Sequence, residues 1–263
     1  MIEATLGVPV TQYDDGSAPG MHDLEIALPG GLPGAVEVTA DADSACIELW
    51  NLVNGDDERW QVPSLQGGWL VELEPTARAK ALLRELPRLL AELEGRGVTR
   101  LTTTTYRRTD GDDVEEVARR LGITRAGQSA TTSFPGSIYL TIDLPLERTA
   151  GMVPVTGDPV VPWLEEFLAG SECADVRAKL LRSGARERHA FVFVPGFTTA
   201  PFAVVDLLMR TGAPIPTVAP ALPDEVTHVW AASTWSSGHG VRWSPHEGWT
   251  AFAKGGGEGS ANV

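Results

Sequence analysis

Only two cysteines, Cys46 and Cys173, and three lysines, Lys80, Lys179 and Lys254, occur in the 263 residues of this chain. Two cysteines cannot build a disulfide framework or a cysteine-only zinc site. With both thiols left reduced, the expected compartment is the cytoplasm. No apolar run reaches the roughly 18 residues that a membrane-spanning helix needs, so no membrane association is expected. The opening residues, MIEATLGVPVTQYDDG, lack a basic segment followed by an apolar one, and no secretory leader is expected.

Several catalytic signatures are missing as well. There is no G-x-x-x-x-G-K-[ST] loop, which removes NTP hydrolysis through a P-loop. The apolar strand and small-residue turn in HAFVFVPGFTTAPF resemble part of an α/β-hydrolase, but that chemistry needs a G-x-S-x-G elbow. Gly127-Gln128-Ser129-Ala130-Thr131 lacks its last glycine, so a serine hydrolase is not expected. The five histidines, His22, His189, His228, His239 and His246, show no local zinc-ligand spacing. No zinc site is therefore expected; His239 and His246 flank the last hairpin, where they could meet in space, but loop histidines are more often solvated turn residues than ligands.

Positive charge is scarce. Against 35 acidic side chains stand 21 basic ones, a formal net charge of −14. That balance weighs against a protein that coats nucleic acid non-specifically, because such binding needs many lysine or arginine contacts to phosphates. It leaves room for a local basic patch. At 43% hydrophobic and 21% charged the chain is an ordinary globular one, long enough to bury a sizeable core.

What is present alternates between strands and helices. LEIAL at 24–28 and AVEVTA at 35–40 both have period two, and GGLPG between them is turn chemistry, which predicts a β-hairpin. Asp41 or Asp43 caps a helix through SACIELWNLV, and WLVEL at 69–73 is a strand. A long amphipathic helix from Thr76 carries the stripe Leu82, Leu83, Leu86, Leu89, Leu90, Leu93, with Pro87 expected to kink or split it. LTTTT at 101–105 and SIYLTI at 137–142 read as strands, VEEVARRLG at 114–122 as a short helix. Beyond a Pro-, Gly- and Val-rich stretch at 145–162 come helices over 162–169 and 173–183, the strand HAFVFV, a helix near 200–210, the strand VTHVWAAS and a closing hairpin.

The fold class is therefore α/β, a mixed central sheet flanked by helices and closed by a C-terminal β-hairpin. One domain over 1–254 is expected, with 1–150 and 151–254 as the alternative subdivision, and a disordered tail over 255–263. Four tryptophans, Trp230, Trp235, Trp243 and Trp249, cluster near the C-terminus, and core packing of the last sheet is their expected role.

Chemistry gathers at the first hairpin. Asp23 heads one strand and Glu37-Val38-Thr39 lies on the next, so pairing through the 29–34 turn brings the two carboxylates together. Two converging oxygen ligands suit a hard divalent cation such as Mg²⁺ or Mn²⁺. Asp14 and Asp15 precede the hairpin and are expected to form Asx turns.

This pattern resembles the PD-(D/E)XK nuclease superfamily, in which an acid opens one strand and acid-x-lysine follows on the next, with a helix after it. The likeness covers residues 14–95 most clearly and implies a restriction-endonuclease-like core in the N-terminal portion. The DDG…D…EVT pattern also resembles that of actinobacterial proteins without an assigned activity. The resemblance implies that Asp23 and Glu37 hold the metal and that Asp23, Glu37 and Thr39 form the catalytic set. Two departures stand out: His22 replaces the proline before the first acid, and Thr39 replaces the lysine. Where members move the lysine to the next helix, Lys80 and Arg84 are the nearest substitutes.

The densest basic stretch, RAKLLRSGARERH at 177–189, offers Arg182, Arg186 and Arg188 as phosphate contacts, or else forms a solvated helix end. Two functions stay open. One is metal-dependent phosphodiester hydrolysis on a nucleic acid; the other is a catalytically inactive module of the same fold that binds a protein partner.

Overall fold

The computed structural model describes residues 1–54, 60–103, 113–129, 134–236 and 238–254. The chain opens with a short helix, α1 (Ile2–Leu6), and a meander of three antiparallel strands, β1 (Val10–Gln12), β2 (Leu24–Ile26) and β3 (Gly34–Ala40). The expected hairpin is there, with Leu24 opposite Val36 and Ile26 opposite Gly34. Gly30 and Gly31, at φ +106° and +86°, provide the left-handed backbone that its turn requires.

After β3 the chain leaves this sheet. Residues Asp43–Pro145 form a compact unit of their own, while Met1–Ala42 and Leu146–Val263 form the other. The inserted unit contains α2 (Ser44–Asn54), β4 (Trp60–Gln61), β5 (Trp69–Leu73), α3 (Ala79–Gly95), β6 (Arg100–Thr102), α4 (Asp113–Arg120), β7 (Ile123–Gln128) and β8 (Ser137–Ile142). Its sheet runs β4-β8-β5-β7-β6. Asp43 Oδ1 accepts the Cys46 N–H at 3.1 Å, the expected cap of α2.

The leucine stripe of α3 is buried except for Leu83, and the helix runs unbroken through Pro87. Burial of that stripe outweighs the one backbone hydrogen bond that the proline removes. The tail over 255–263 and the end of LTTTT lie outside the described residues.

From Leu146 the chain rejoins the first sheet through α5 (Leu146–Thr149), α6 (Val160–Ala169) and α7 (Ala174–Arg182). It continues with β9 (Arg188–Val194), α8 (Phe202–Met209), β10 (His228–Ser233) and the closing hairpin of β11 (His239–Ser244) and β12 (Gly248–Ala253). The sheet order is β1-β2-β3-β9-β10-β11-β12. β3, β9 and β10 are mutually parallel, with antiparallel strands on both sides.

β9 and β10 are apolar along nearly their whole length because both of their faces are covered. Ala190, Val192, Val194, Val229 and Ala231 pack against α6, α7 and α8. Phe191, Trp230, Ala232 and Phe252 pack on the opposite face with Ile26, Val36 and Ile2 of α1. Trp230 and Trp249 are buried as expected, but Trp235 is 71% exposed. It sits past the end of β10, where its indole leans over Gly196; a Cβ on that glycine would lie 2.7 Å from the indole nitrogen.

Among the described residues no helix is long and apolar enough to cross a membrane. Both cysteines are buried thiols. Burial, reinforced by Glu172, pushes the Cys173 thiol up to about 11. Neither cysteine should therefore react with Ellman's reagent in the native protein at mildly alkaline pH, and both should react once denaturant is added. Rapid labelling of the native protein would contradict this packing.

Candidate functional site

Alternation along β3 puts Ala35, Glu37 and Thr39 on the face that carries the helices. Glu37 is 3% exposed, and α7 lies over it. Its Oε1 meets Lys179 Nζ at 2.7 Å, a contact between residues 142 apart in sequence. One turn earlier on α7, Asp175 Oδ2 stands 3.5 Å from the same ammonium. The other Glu37 oxygen, Oε2, is buried and makes no hydrogen bond among the described residues.

Asp23 precedes β2, and extending the register of Leu24 with Val36 sets it opposite Glu37. Its Oδ2 accepts the Val38 N–H at 2.7 Å, which fixes the carboxylate against β3. Burial raises the Glu37 carboxyl above the usual range, Lys179 pulls it back, and the nearby charge of Asp23 raises it further. The Lys179 ammonium is held above its ordinary value, first by the hydrogen bond to Glu37 and then by Asp175 and Asp23. Asp23, Glu37 and Lys179 thus act on one another electrostatically. Thr39 follows on the same face, half-buried.

The neighbouring residues have structural employment. Asp14 Oδ1 accepts Gly16 N–H, and Asp15 Oδ1 accepts Ser17 N–H, both at 2.9 Å, the expected Asx turns. The buried His22 ring stacks on Tyr13 at 4.2 Å. Asp41, the third acid of this strand face, is buried and accepts the Trp163 indole N–H at 2.8 Å and the Thr199 N–H at 3.3 Å.

No family model, curated protein or solved structure matches this chain. The chemistry of the side chains must carry the reading.

Some expectations change here. The helix near Asp43 that the resemblance places after the second acid belongs to the inserted unit, and the helix that covers β3 is α7. The cation that meets Glu37 is Lys179, not Lys80 or Arg84, both of which lie on α3 in the inserted unit. Among the basic residues, Arg188 donates to the carbonyls of Glu225, Asp224 and Ala185 at 2.7, 2.7 and 3.1 Å, one bond from each of its three side-chain nitrogens. Arg182 lies over Gly20, where a Cβ would stand 2.0 Å from its Nη1, beside the loop that leads to Asp23. Arg186 is exposed and lines a small cavity with His22 and Glu25. His239 and His246 do not meet: His239 pairs with Ala253 at the open end of the hairpin, whereas His246 lies in its turn, past Ser244 opposite Gly248.

Lys179→Met leaves a buried carboxylate without its counter-charge, and should destabilise the protein by about 3 kcal/mol near neutral pH. Because the folded state holds the Glu37 carboxyl above its unfolded value, protonation favours folding, and stability is regained as the pH falls through that raised value. Urea unfolding of both proteins at neutral and mildly acidic pH should show the gap closing on acidification. A gap independent of pH would separate Lys179 from the charge of Glu37.

Proposed function

We propose that the unit of Met1–Ala42 and Leu146–Val263 hydrolyses phosphodiesters of a nucleic acid, with Asp23 and Glu37 as ligands for Mg²⁺ or Mn²⁺ and Lys179 as the cation of the site. The observation that carries this reading is the Lys179–Glu37 contact, because it returns a lysine to a strand where Thr39 stands in the motif position. The antiparallel pairing that sets Asp23, just before β2, opposite Glu37 within β3, with α7 over that strand and parallel β9 beside it, supports a restriction-endonuclease-like core.

The donors fit a hard divalent ion: both are carboxylates, and the buried Glu37 Oε2 has no hydrogen-bond partner among the described residues. A divalent ion bound there would act as a Lewis acid toward a phosphate oxygen and acidify a water. The chain's own residues supply the rest. Val38 N–H orients Asp23, and Lys179 keeps Glu37 ionised while offering positive charge to the phosphate. Thr39, on the same face, is placed to hydrogen-bond the attacking water. Arg182 and Arg186 are the phosphate contacts, and Arg188 is released from that role by its three carbonyls. A cytoplasmic setting suits two buried, reduced thiols.

A second reading, an inactive module of the same fold that binds a protein partner, draws support from the deep burial of Glu37 beneath α7 and from the net charge of −14.

Incubation of the purified protein with single- and double-stranded DNA and RNA separates the two. Cleavage that requires Mg²⁺ or Mn²⁺ and falls about 100-fold or more in Asp23→Asn, Glu37→Gln and Lys179→Met is the expected result. Cleavage that survives Asp23→Ala and Glu37→Ala together overturns the mechanism. No cleavage, with no Mg²⁺ or Mn²⁺ binding by calorimetry, leaves the module.

A further inference from the structure

On the opposite face of the same sheet, β9 carries His189 as its second residue and β10 begins with His228, and the parallel register sets the two side by side. Their rings stack with centroids 4.2 Å apart and planes 20° from parallel. Glu187, just before β9, directs one oxygen at both: Oε2 lies 3.4 Å from His189 Nε2 and 3.8 Å from His228 Nε2. All three donor atoms fall within 4.8 Å of one another. We propose that Glu187, His189 and His228 form a binding site for Zn²⁺, distinct from the carboxylate pair on the other face.

The spacing is close to what such an ion requires. Ligands at about 2.0–2.1 Å from a tetrahedral zinc stand roughly 3.4 Å apart, close to the 3.4 and 3.8 Å that separate Glu187 Oε2 from the two Nε2 atoms, and closure also turns the stacked rings so that the ion lies in both ring planes. His228 is oriented for the task. Thr227 Oγ1 accepts the Arg188 N–H at 2.7 Å, points its own hydrogen toward the Arg188 carbonyl at 3.2 Å, and lies 2.8 Å from His228 Nδ1. All three contacts are satisfied together when Nδ1 carries the proton, as in metal-bound histidines anchored by a neighbouring oxygen. The Nε2 lone pair then faces the Glu187 carboxylate. A cation between them would satisfy both acceptors.

Charge and burial agree. Burial lowers the pKa of both imidazoles, that of His228 to about 4, which favours the neutral form that ligates a metal. The other charged groups that face them are Arg242, which lies over the Trp230 ring and pairs with Glu247, and His246 on the β11–β12 turn. Two imidazoles and one carboxylate favour a borderline ion such as Zn²⁺ over Mg²⁺ or Mn²⁺, and three protein ligands leave a fourth position for water.

One contact opposes binding. The Trp230 indole N–H donates to His189 Nδ1 at 3.2 Å, which places that ring's proton on Nε2, toward Glu187. Ligation moves this proton to Nδ1 and breaks the indole hydrogen bond. Trp230→Phe, which removes the indole N–H, should therefore bind the ion more tightly than the parent.

The test uses the full chain, stripped with a chelator and titrated with Zn²⁺ or Co²⁺ alone. One equivalent of tightly held zinc by elemental analysis is expected, with visible d–d absorption of a four- or five-coordinate Co²⁺ site. Glu187→Gln, a half-exposed and isosteric change, and His228→Asn should each lose that equivalent with unchanged circular dichroism. Asp23→Asn and Glu37→Gln should keep it. If the parent holds no zinc at micromolar concentration, or if Glu187→Gln and His228→Asn bind as the parent does, the assignment is overturned.

Discussion

The pairing of β9 with β3 is the constraint on which everything else in the first unit depends. Six residue pairs, from Ala35 with Arg188 to Ala40 with Phe193, join the N-terminal meander to the C-terminal half in parallel. Parallel neighbours need a crossover, and here it is supplied by α6 and α7 after the chain has built a whole second unit. That crossover lays α7 over β3 and so puts Lys179 against Glu37. On the other side of β9 the same strand sets His189 beside His228. Slipping β9 by one residue would turn His189 to the other face, away from His228, since side chains alternate between the faces.

Much of this was legible in local pattern. Period two and a glycine-proline turn revealed the hairpin, the unbroken apolar run revealed β9, and the spacing of leucines revealed α3 in spite of Pro87. The strand β7, ITRAGQ, was not legible, because its apolar residues are few and its place is fixed by neighbours on both sides. The start of the inserted unit was equally silent. It falls between Ala42 and Asp43, where a strand passes to a helix with no change in composition, whereas its end at Pro145 coincides with the proline- and glycine-rich stretch.

The candidate site was half legible for the same reason. Asp23 and Glu37 face each other through a short turn, and short turns leave a trace in sequence. Lys179 reaches Glu37 across the crossover, so proximity along the chain pointed to Lys80 and Arg84 instead. The only available signal was scarcity: in a chain with three lysines, one placed mid-helix beside Asp175 invites a question about its partner. The histidine pair left no trace at all, since the strand register that unites His189 and His228 is a tertiary fact.

The Glu37–Lys179 pair is hard to account for by stability alone. A buried ion pair recovers, at best, most of the desolvation that its charges suffer, and an apolar pair of similar volume would serve the packing as well or better. Here the carboxyl is still pushed upward by burial despite its partner, and one of its oxygens has no hydrogen bond among the described residues. An acid held in this condition is poorly explained as glue. On the proposal above its free oxygen would serve as a metal ligand, with Asp23 fixed alongside it by a backbone N–H and Lys179 of α7 above. The surplus of negative charge, spread over the whole surface, repels nucleic acid, whereas on that proposal the two acids beneath α7, Asp23 and Glu37, would hold a divalent cation.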